Sequence, residues 1–238
     1  MLLLGIDTSG KSGGVTLAQK DSGPFRVLAS SPIEGGTFSA QLIPTIERLL
    51  QAHQLNIPQV DGFAVASGPG SFTGLRVGLS AVKALSEALE KPIAAVSVLE
   101  AIAASVVWAG NESDSHPVCR VALDASRNET FFGEYECLHP VAPKILCESL
   151  ITLSDLAERV ERWGHGAHLV TSDAAIVEGL KNLVHDPFLV NVDIVSRPTS
   201  EDIARVGASK LLAGDTVSLE ALDANYLRRS DAEIFFKG

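Results

Sequence analysis

The segment that most constrains the fold of this chain runs from Ser67 to Ser80 and reads SGPGSFTGLRVGLS. An apolar run at 60–66 precedes it and predicts a buried strand, and a helical pattern rich in small residues follows it. A strand that ends in a glycine-rich turn and opens a helix is where α/β proteins tend to hold phosphates, because free N–H groups and the helix dipole converge there. Glycines also suit a purely structural turn, in which they allow positive φ and close packing of helix on strand.

The chemistry of this loop favours a structural or partner-binding role over phosphate binding. The loop contains no lysine, and Arg76 in the first helical turn is the one cation nearby. Phe72 stands among small residues and indicates a contact surface. The residues assigned to the loop are Gly68, Pro69, Gly70, Ser71, Phe72, Thr73, Gly74 and Arg76.

The composition is that of a globular protein with ample length for a core. Of 238 residues, 46% are apolar and 20% are charged, and the formal net charge is −10. An acidic chain repels phosphate backbones, so we do not expect it to bind a nucleic acid by itself.

The three cysteines lie far apart without a CxxC motif, which favours small buried residues in a reducing compartment. No basic segment precedes the apolar residues 2–4 and no apolar run approaches about 20 residues, so we expect a cytoplasmic protein without a signal peptide.

Hydrophobic periodicity predicts the same order of elements twice. Three successive strands precede helices that alternate with strands, and this order recurs beyond the polar stretch 109–117. The predicted strands are 2–7, 14–19, 26–30, 61–66, 93–96, 118–124, 130–138, 144–148 and 168–171, and the predicted helices are 38–53, 73–90, 97–108, 154–163, 174–183 and 200–212. We interpret the repetition as a duplicated α/β fold. The predicted divisions are a first lobe at 1–108, a smaller lobe at 118–199 and a tail at 214–238, with a helix at 200–213 that packs back on the first lobe.

Residues 5–12, GIDTSGKS, match the phosphate-loop pattern G-x-x-x-x-G-K-[ST]. That motif requires its lysine and hydroxyl residue to open a helix. Here Gly13 and Gly14 follow and then a strand pattern, so a hairpin turn is favoured. Two interpretations stay open for Asp7 and Thr8: they face a nucleotide, or they hydrogen-bond their own turn.

Asp124 and Arg127 present a similar choice between two predicted strands of the second lobe. They either pair with each other or reach into a cleft between lobes. The histidines offer little for metal binding, because no HExxH pair occurs and the HxxH spacing of His165 and His168 is flanked by glycines. No G-x-S-x-G motif surrounds a serine. We therefore predict no catalytic residue, no metal site and no cofactor.

Four segments, at 4–9, 67–78, 123–129 and 225–233, together resemble the TsaB (YeaZ) family. Its members are bacterial subunits that help form the threonylcarbamoyl modification on the adenosine next to the anticodon of certain tRNAs. The resemblance implies two tandem lobes of the actin-like ATPase, ribonuclease H-like architecture and a non-catalytic, scaffolding role. The resemblance also implies a vestigial cleft with the residues Asp7, Thr8, Asp124 and Arg127. The chain departs from the family pattern at Ser126, where a second arginine is common, and at Ala224, where a proline is usual.

The resemblance also implies partners. A paralogous TsaD-like subunit holds the metal and transfers the threonylcarbamoyl group, a TsaE-like ATPase joins the assembly, tRNA is met only through the complex, and no membrane is involved. The metal histidines of the paralogue are expected on the helix after the third strand, where residues 37–42 of this chain contain no histidine.

The helix at 73–90 is apolar almost all round, so it must be covered on more than one side. With the helix at 38–53 it is predicted to form a surface for the TsaD-like subunit or, in its absence, for a second copy. The candidate interface residues are Leu42, Ile46, Leu75, Gly78, Leu79 and Val82. Two competing functions are a free-standing ATP-using enzyme of the actin-like superfamily and a metallopeptidase.

Overall fold

The structure, a computed structural model, describes residues 1–108, 118–137, 143–164, 168–225 and 227. The chain divides into two compact units. The first unit comprises Met1–Ala101 and Pro198–Asn225, and the second begins at Ile102 and continues to Arg197. The predicted linker at 109–117 and most of the predicted tail beyond Asn225 lie outside the described residues.

The first unit is built on a five-stranded sheet in the order β3-β2-β1-β4-β5. Its strands are β1 (Leu2–Asp7), β2 (Ser12–Gln19), β3 (Arg26–Glu34), β4 (Gly62–Gly68) and β5 (Ile93–Ser97). Its helices are α1 (Phe38–Ala52), α2 (Phe72–Leu89), the start of α3 (Val98–Trp108) and α6 (Ser200–Ala213). The strand β1 pairs antiparallel with β2 and parallel with β4, so its carboxyl end lies beside the loop that opens α2.

The second unit repeats this topology strand for strand. Its sheet has the order β8-β7-β6-β9-β10, with β6 again antiparallel to one neighbour and parallel to the other. The strands are β6 (Val118–Asp124), β7 (Glu129–Glu136), β8 (Lys144–Thr152), β9 (Leu169–Thr171) and β10 (Val192–Ile194), and the helices that follow β8 and β9 are α4 (Leu153–Trp163) and α5 (Ala174–Leu183). The predicted α/β fold with two lobes is confirmed.

Most element boundaries agree with the sequence prediction to within a few residues, and the exceptions lie at sheet edges. The edge strand β3 continues through Pro32 to Glu34, which an edge position allows because the missing N–H faces away from the ladder. The other edge strand, β8, continues to Thr152. The strand β10 was not predicted, because it is three residues long and mostly exposed.

The helix α6 packs on the first sheet through small residues, although it follows β10 in sequence. A Cβ atom added at Gly5 would overlap Ser200 and Ala204 of α6, and one added at Gly207 would overlap Ala64 of β4. The hydroxyl groups of Thr16 and Ser200 lie 2.8 Å apart in a hydrogen bond. The core of the first unit is therefore completed by a segment that comes about 100 residues after β5.

A largely buried ion pair joins α6 to α3 within the first unit. Lys210 Nζ lies 3.4 Å from Glu100 Oε1, and also 3.1 Å from the carboxylate of Asp215. Burial disfavours the charged lysine, but the two carboxylates outweigh it and raise the pKa of Lys210. The charge of Glu100 is thus balanced where water is largely excluded.

Candidate functional site

The turn between β1 and β2 is buried and closes on its own residues. Asp7 ends β1, and its carboxylate accepts a 2.8 Å hydrogen bond from the Ser9 N–H. Asp7, Thr8 and Ser9 are 3%, 0% and 2% exposed. The chain then enters β2 at Ser12, so the residues of the phosphate-loop pattern lead into a strand rather than a helix. The phosphate-loop hypothesis is therefore wrong, because the motif lacks the helix N-terminus on which its chemistry depends.

The glycine loop that follows β4 uses its backbone donors inside the chain. The Ser71 N–H donates to the carbonyl oxygen of Ser9 at 2.7 Å. Ser71 also caps α2, and its hydroxyl accepts a 3.2 Å hydrogen bond from the Gly74 N–H. On the other side of the loop, the Asn225 N–H donates to the Ser67 carbonyl oxygen at 2.6 Å. Two N–H groups that could have faced an anion are thus bonded to the protein itself.

Three glycines spaced four residues apart hold this loop and α2 against the β1–β2 turn. A Cβ atom at Gly70 would overlap the carbonyl oxygen of Ser9, and one at Gly74 would overlap that of Thr8. At Gly78 it would overlap the Thr8 hydroxyl oxygen. The turn therefore packs directly against the loop and the first turns of α2. Close packing against the turn explains why glycine occupies these three positions. The assignment of the loop to partner binding stays a prediction.

Two side chains at the start of α2 face outward. Phe72 is 38% exposed, and the guanidinium of Arg76 stacks over its ring at 3.7 Å from the ring centroid. Together they present an aromatic and a positive group at the end of the helix. Sequence reasoning had placed both residues in the loop but had no signal for their contact.

The predicted interface residues are buried inside the first unit. Leu42 and Ile46 of α1 and Leu75, Leu79 and Val82 of α2 are at most 5% exposed, and Gly78 is buried against Thr8. These six positions therefore cannot form a surface, because they pack on the sheet of their own unit. The error arose because α2 is apolar on both sides, so its sequence does not distinguish the core side from the outer side.

The exposed sides of α1 and α2 carry a set of small and apolar residues among charged and polar ones. We call this set the outer face. It consists of Ala40, Ile43 and Pro44 on α1, and Thr73, Ser80, Ala84 and Ala88 on α2, all exposed. Ile43 is 41% exposed.

The turn between β6 and β7 has an aspartate at the same place as the β1–β2 turn, but this second turn is exposed. The Asp124 carboxylate accepts a 2.8 Å hydrogen bond from the Ser126 N–H, as Asp7 does from Ser9. The Asp124 N–H donates to the carboxylate of Asp173, the residue before α5, at 2.8 Å, and sequence reasoning missed this contact because the two residues are 49 positions apart. Asp124 and the turn residues Ser126, Arg127 and Asn128 are exposed. The three turn residues have φ values of 63°, 56° and 60°, so this turn runs through consecutive left-handed residues.

The four predicted cleft residues lie at these two turns. Asp7 and Thr8 belong to the first unit, and Asp124 and Arg127 belong to the second. Each aspartate bonds its own turn, which for Asp7 is one of the two interpretations that the sequence left open. In the described parts of the chain, no three histidine, cysteine, aspartate or glutamate side chains are grouped as metal ligands. No helix there is long and apolar enough to cross a membrane.

Comparison with known proteins identifies the family. The family model of TsaD, tRNA N6-adenosine threonylcarbamoyltransferase, matches residues 35–189. The TsaB proteins of tRNA threonylcarbamoyladenosine biosynthesis from Bacillus subtilis and Escherichia coli are each 24% identical to this chain, and each match covers 98% of this chain and 96% of the relative. The solved structure of YeaZ from Pseudomonas aeruginosa superposes with a TM-score of 0.72 at 25% identity, covering 94% of this chain and 99% of YeaZ. The chain belongs to the TsaD family and, within it, to the TsaB (YeaZ) group.

Proposed function

We propose that this chain is a non-catalytic subunit required to form N6-threonylcarbamoyladenosine on tRNA, and that it acts by binding a TsaD-like catalytic subunit. The observation that carries the proposal is the outer face of α1 and α2, in a chain whose full-length relatives are TsaB proteins of this pathway. A TsaE-like ATPase would join the assembly, and tRNA would be bound by the complex rather than by this acidic chain alone.

The outer face supports helix-to-helix association. Ser80, Ala84 and Ala88 follow one another at intervals of four residues, so they form a row along the exposed side of α2. Short side chains in such a row allow the axis of a second helix to approach closely. Phe72 and Arg76 at one end of the row add an aromatic group and a cation, the residue types that most often anchor interfaces. In the absence of a TsaD-like subunit, a second copy of the chain is expected to cover the same face.

Two features support a role without catalysis. Residues 37–42, where α1 begins, contain no histidine, although the metal-binding paralogue is expected to carry its metal histidines there. The Ser71 and Gly74 N–H groups at the start of α2 are bonded within the chain, which leaves them unavailable to a phosphate. The catalytic groups would then come from the TsaD-like subunit.

Reconstitution tests the proposed function directly. Formation of the modified nucleoside is measured with the purified TsaD-like and TsaE-like proteins, tRNA, ATP and the threonylcarbamoyl donor, with and without this chain. We expect activity only when the chain is present. Full activity in its absence would overturn the proposal.

Substitution on the outer face tests the mode of binding. Ala84→Arg places a long charged side chain in the centre of the row on α2, and we expect it to weaken the heterodimer at least about tenfold. Ala175→Arg, at an exposed alanine of α5 in the second unit, is the matched control and should leave binding unchanged. Binding is measured by titration calorimetry and by elution from a sizing column. Equal affinities for the two variants would remove α2 from the interface.

A further inference from the structure

Two cysteine thiols meet on one face of the second sheet. In the antiparallel pair β6–β7, Cys119 lies opposite Tyr135. Cys137 is two residues beyond Tyr135, so its side chain points to the same face of the sheet. The Cys119 and Cys137 side chains lie close enough to interact. Residues that are 18 positions apart in sequence are thus brought together by strand pairing alone.

The two thiols differ in exposure and in their tendency to ionise. Cys119 is 7% exposed, and its hydrogen bond with Cys137, together with burial, raises its pKa. Cys137 is half-buried, and the hydrogen bond from Cys119 lowers its pKa, against the opposing effect of burial. The Cys137 thiol also donates a 3.7 Å hydrogen bond to the Tyr135 carbonyl oxygen. The thiolate is the reactive form of cysteine, so reactivity is directed to the more accessible of the two.

The position of Cys137 leaves room for a bond between them. Residues diagonally opposed across a strand pair have Cα atoms about 7–8 Å apart, so a disulfide between them requires some backbone movement. Cys137 is the first residue beyond Glu136, where β7 ends, so its backbone is not held in the β7 ladder. The proposed bond therefore requires this strand end to move towards β6.

From this contact we infer that Cys137 and Cys119 are a reversible redox pair, in which Cys137 reacts with low-molecular-weight disulfides such as glutathione disulfide and Cys119 resolves the adduct. In the first step the Cys137 thiolate attacks one sulfur of the disulfide, and one glutathione leaves as thiolate. In the second step Cys119, having lost its proton to solvent, attacks Cys137 Sγ and releases the second glutathione. The protein loses two electrons and two protons, and one glutathione disulfide becomes two molecules of glutathione.

Cys147 provides an internal control in the same sheet. It lies on β8 opposite Glu134, and its sulfur is 3.8 Å from a Glu134 carboxylate oxygen. Burial and the negative charge of Glu134 raise its pKa. Glu134 precedes Tyr135 on β7, so side-chain alternation places Cys147 on the opposite face from Cys137. It is half-buried like Cys137 but has no thiol partner among the described contacts.

The first test is the order of alkylation in the reduced full chain. The protein is treated with iodoacetamide under native conditions, and the labelled cysteines are identified by peptide mass spectrometry over time. We expect Cys137 to react roughly tenfold faster than Cys147, and Cys119 to react slowest. Faster labelling of Cys147 than of Cys137 would overturn the inference. This measurement needs no variant, so it does not depend on the folding of a mutant.

The second test is oxidation with glutathione disulfide. We expect the wild type to lose two hydrogens in mass and to yield a cross-linked peptide pair containing Cys119 and Cys137, which dithiothreitol reverses. Cys119→Ser should stop at a glutathione adduct on Cys137, and Cys147→Ser should behave as the wild type. A persistent adduct on Cys137 in the wild type, or no reaction at Cys137, would contradict the proposed pair.

Discussion

The two units share a topology and an equivalent turn after the first strand, but the turn is buried in the first unit and exposed in the second. In each, an aspartate ends the first strand and accepts a 2.8 Å hydrogen bond from the N–H two residues on. In the first unit the turn is buried beneath the glycines of α2. In the second unit it is exposed and runs through three left-handed residues. The equivalent turn is thus a packing element in one unit and a surface feature in the other.

The difference follows from the loop after the fourth strand of each unit. In the first unit, Gly70, Gly74 and Gly78 let α2 approach the backbone of the turn. In the second unit, α5 has a glycine only at Gly179, and that glycine faces the side chain of Leu153 instead. The comparison teaches that small residues in one helix decide whether a neighbouring turn can accept a ligand or is closed by the protein itself.

The largest effect is expected from matched glycine substitutions in the two helices. Gly74→Ala forces a methyl group onto the Thr8 carbonyl oxygen, which belongs to rigid backbone, so we expect a loss of about 3 kcal/mol in the free energy of unfolding. Gly179→Ala meets only the flexible end of Leu153, and the higher helix propensity of alanine offsets the contact, so a change below about 1 kcal/mol is expected. Chemical denaturation followed by circular dichroism measures both. Equal losses would break the comparison.

A smaller effect is expected from removal of the turn aspartates. Asp7→Ala leaves the Ser9 N–H without its acceptor in a buried turn, and we expect a cost of about 2 kcal/mol. Asp124→Ala removes a hydrogen bond of the same length from an exposed turn, where water replaces it, and about 0.5 kcal/mol is expected. The same denaturation experiment provides the readout. A cost for Asp124→Ala as large as that for Asp7→Ala would mean that the second turn is not solvated.

The smallest effect is expected at the left-handed turn and has the opposite sign. Ser126 has a φ of 63°, which glycine adopts without strain, so Ser126→Gly should stabilise the second unit by up to about 1 kcal/mol. Ser126→Ala keeps the strain and serves as the control, with no gain expected. Thermal melting of the two variants distinguishes them. A destabilised glycine variant would show that the serine side chain makes a contact that outweighs the backbone strain.

Much of the fold could be predicted because local hydrophobic patterns specify most of its strands and helices. Hydrophobic periodicity predicted the bounds of β6 and α5 without error, and it also predicted the repeated order of strands and helices. The short edge strand β10 was not predicted because three mostly exposed residues carry no periodic signal. Two of the three cysteines, expected to be buried, are half-buried, since burial depends on what covers a strand face.

The candidate site was less accessible to sequence reasoning. The glycine loop was located correctly, but the reason for Gly70, Gly74 and Gly78 is contact with a turn some 60 residues earlier in the chain. The sequence also did not show that the candidate interface residues Leu42 and Leu79 are buried, because the sheet that covers them is assembled from distant strands.

The sequence by itself determined the order of the elements and their duplication. It also determined that a strand, a glycine turn and a helix follow one another around Ser67–Ser80. Each of these features depends on residues close together in the chain. Only the tertiary structure decided which side of α2 faces the core, that α6 completes the first unit, and that Cys119 meets Cys137. These outcomes depend on contacts between distant segments, and local periodicity reports that a surface is apolar without reporting what covers it.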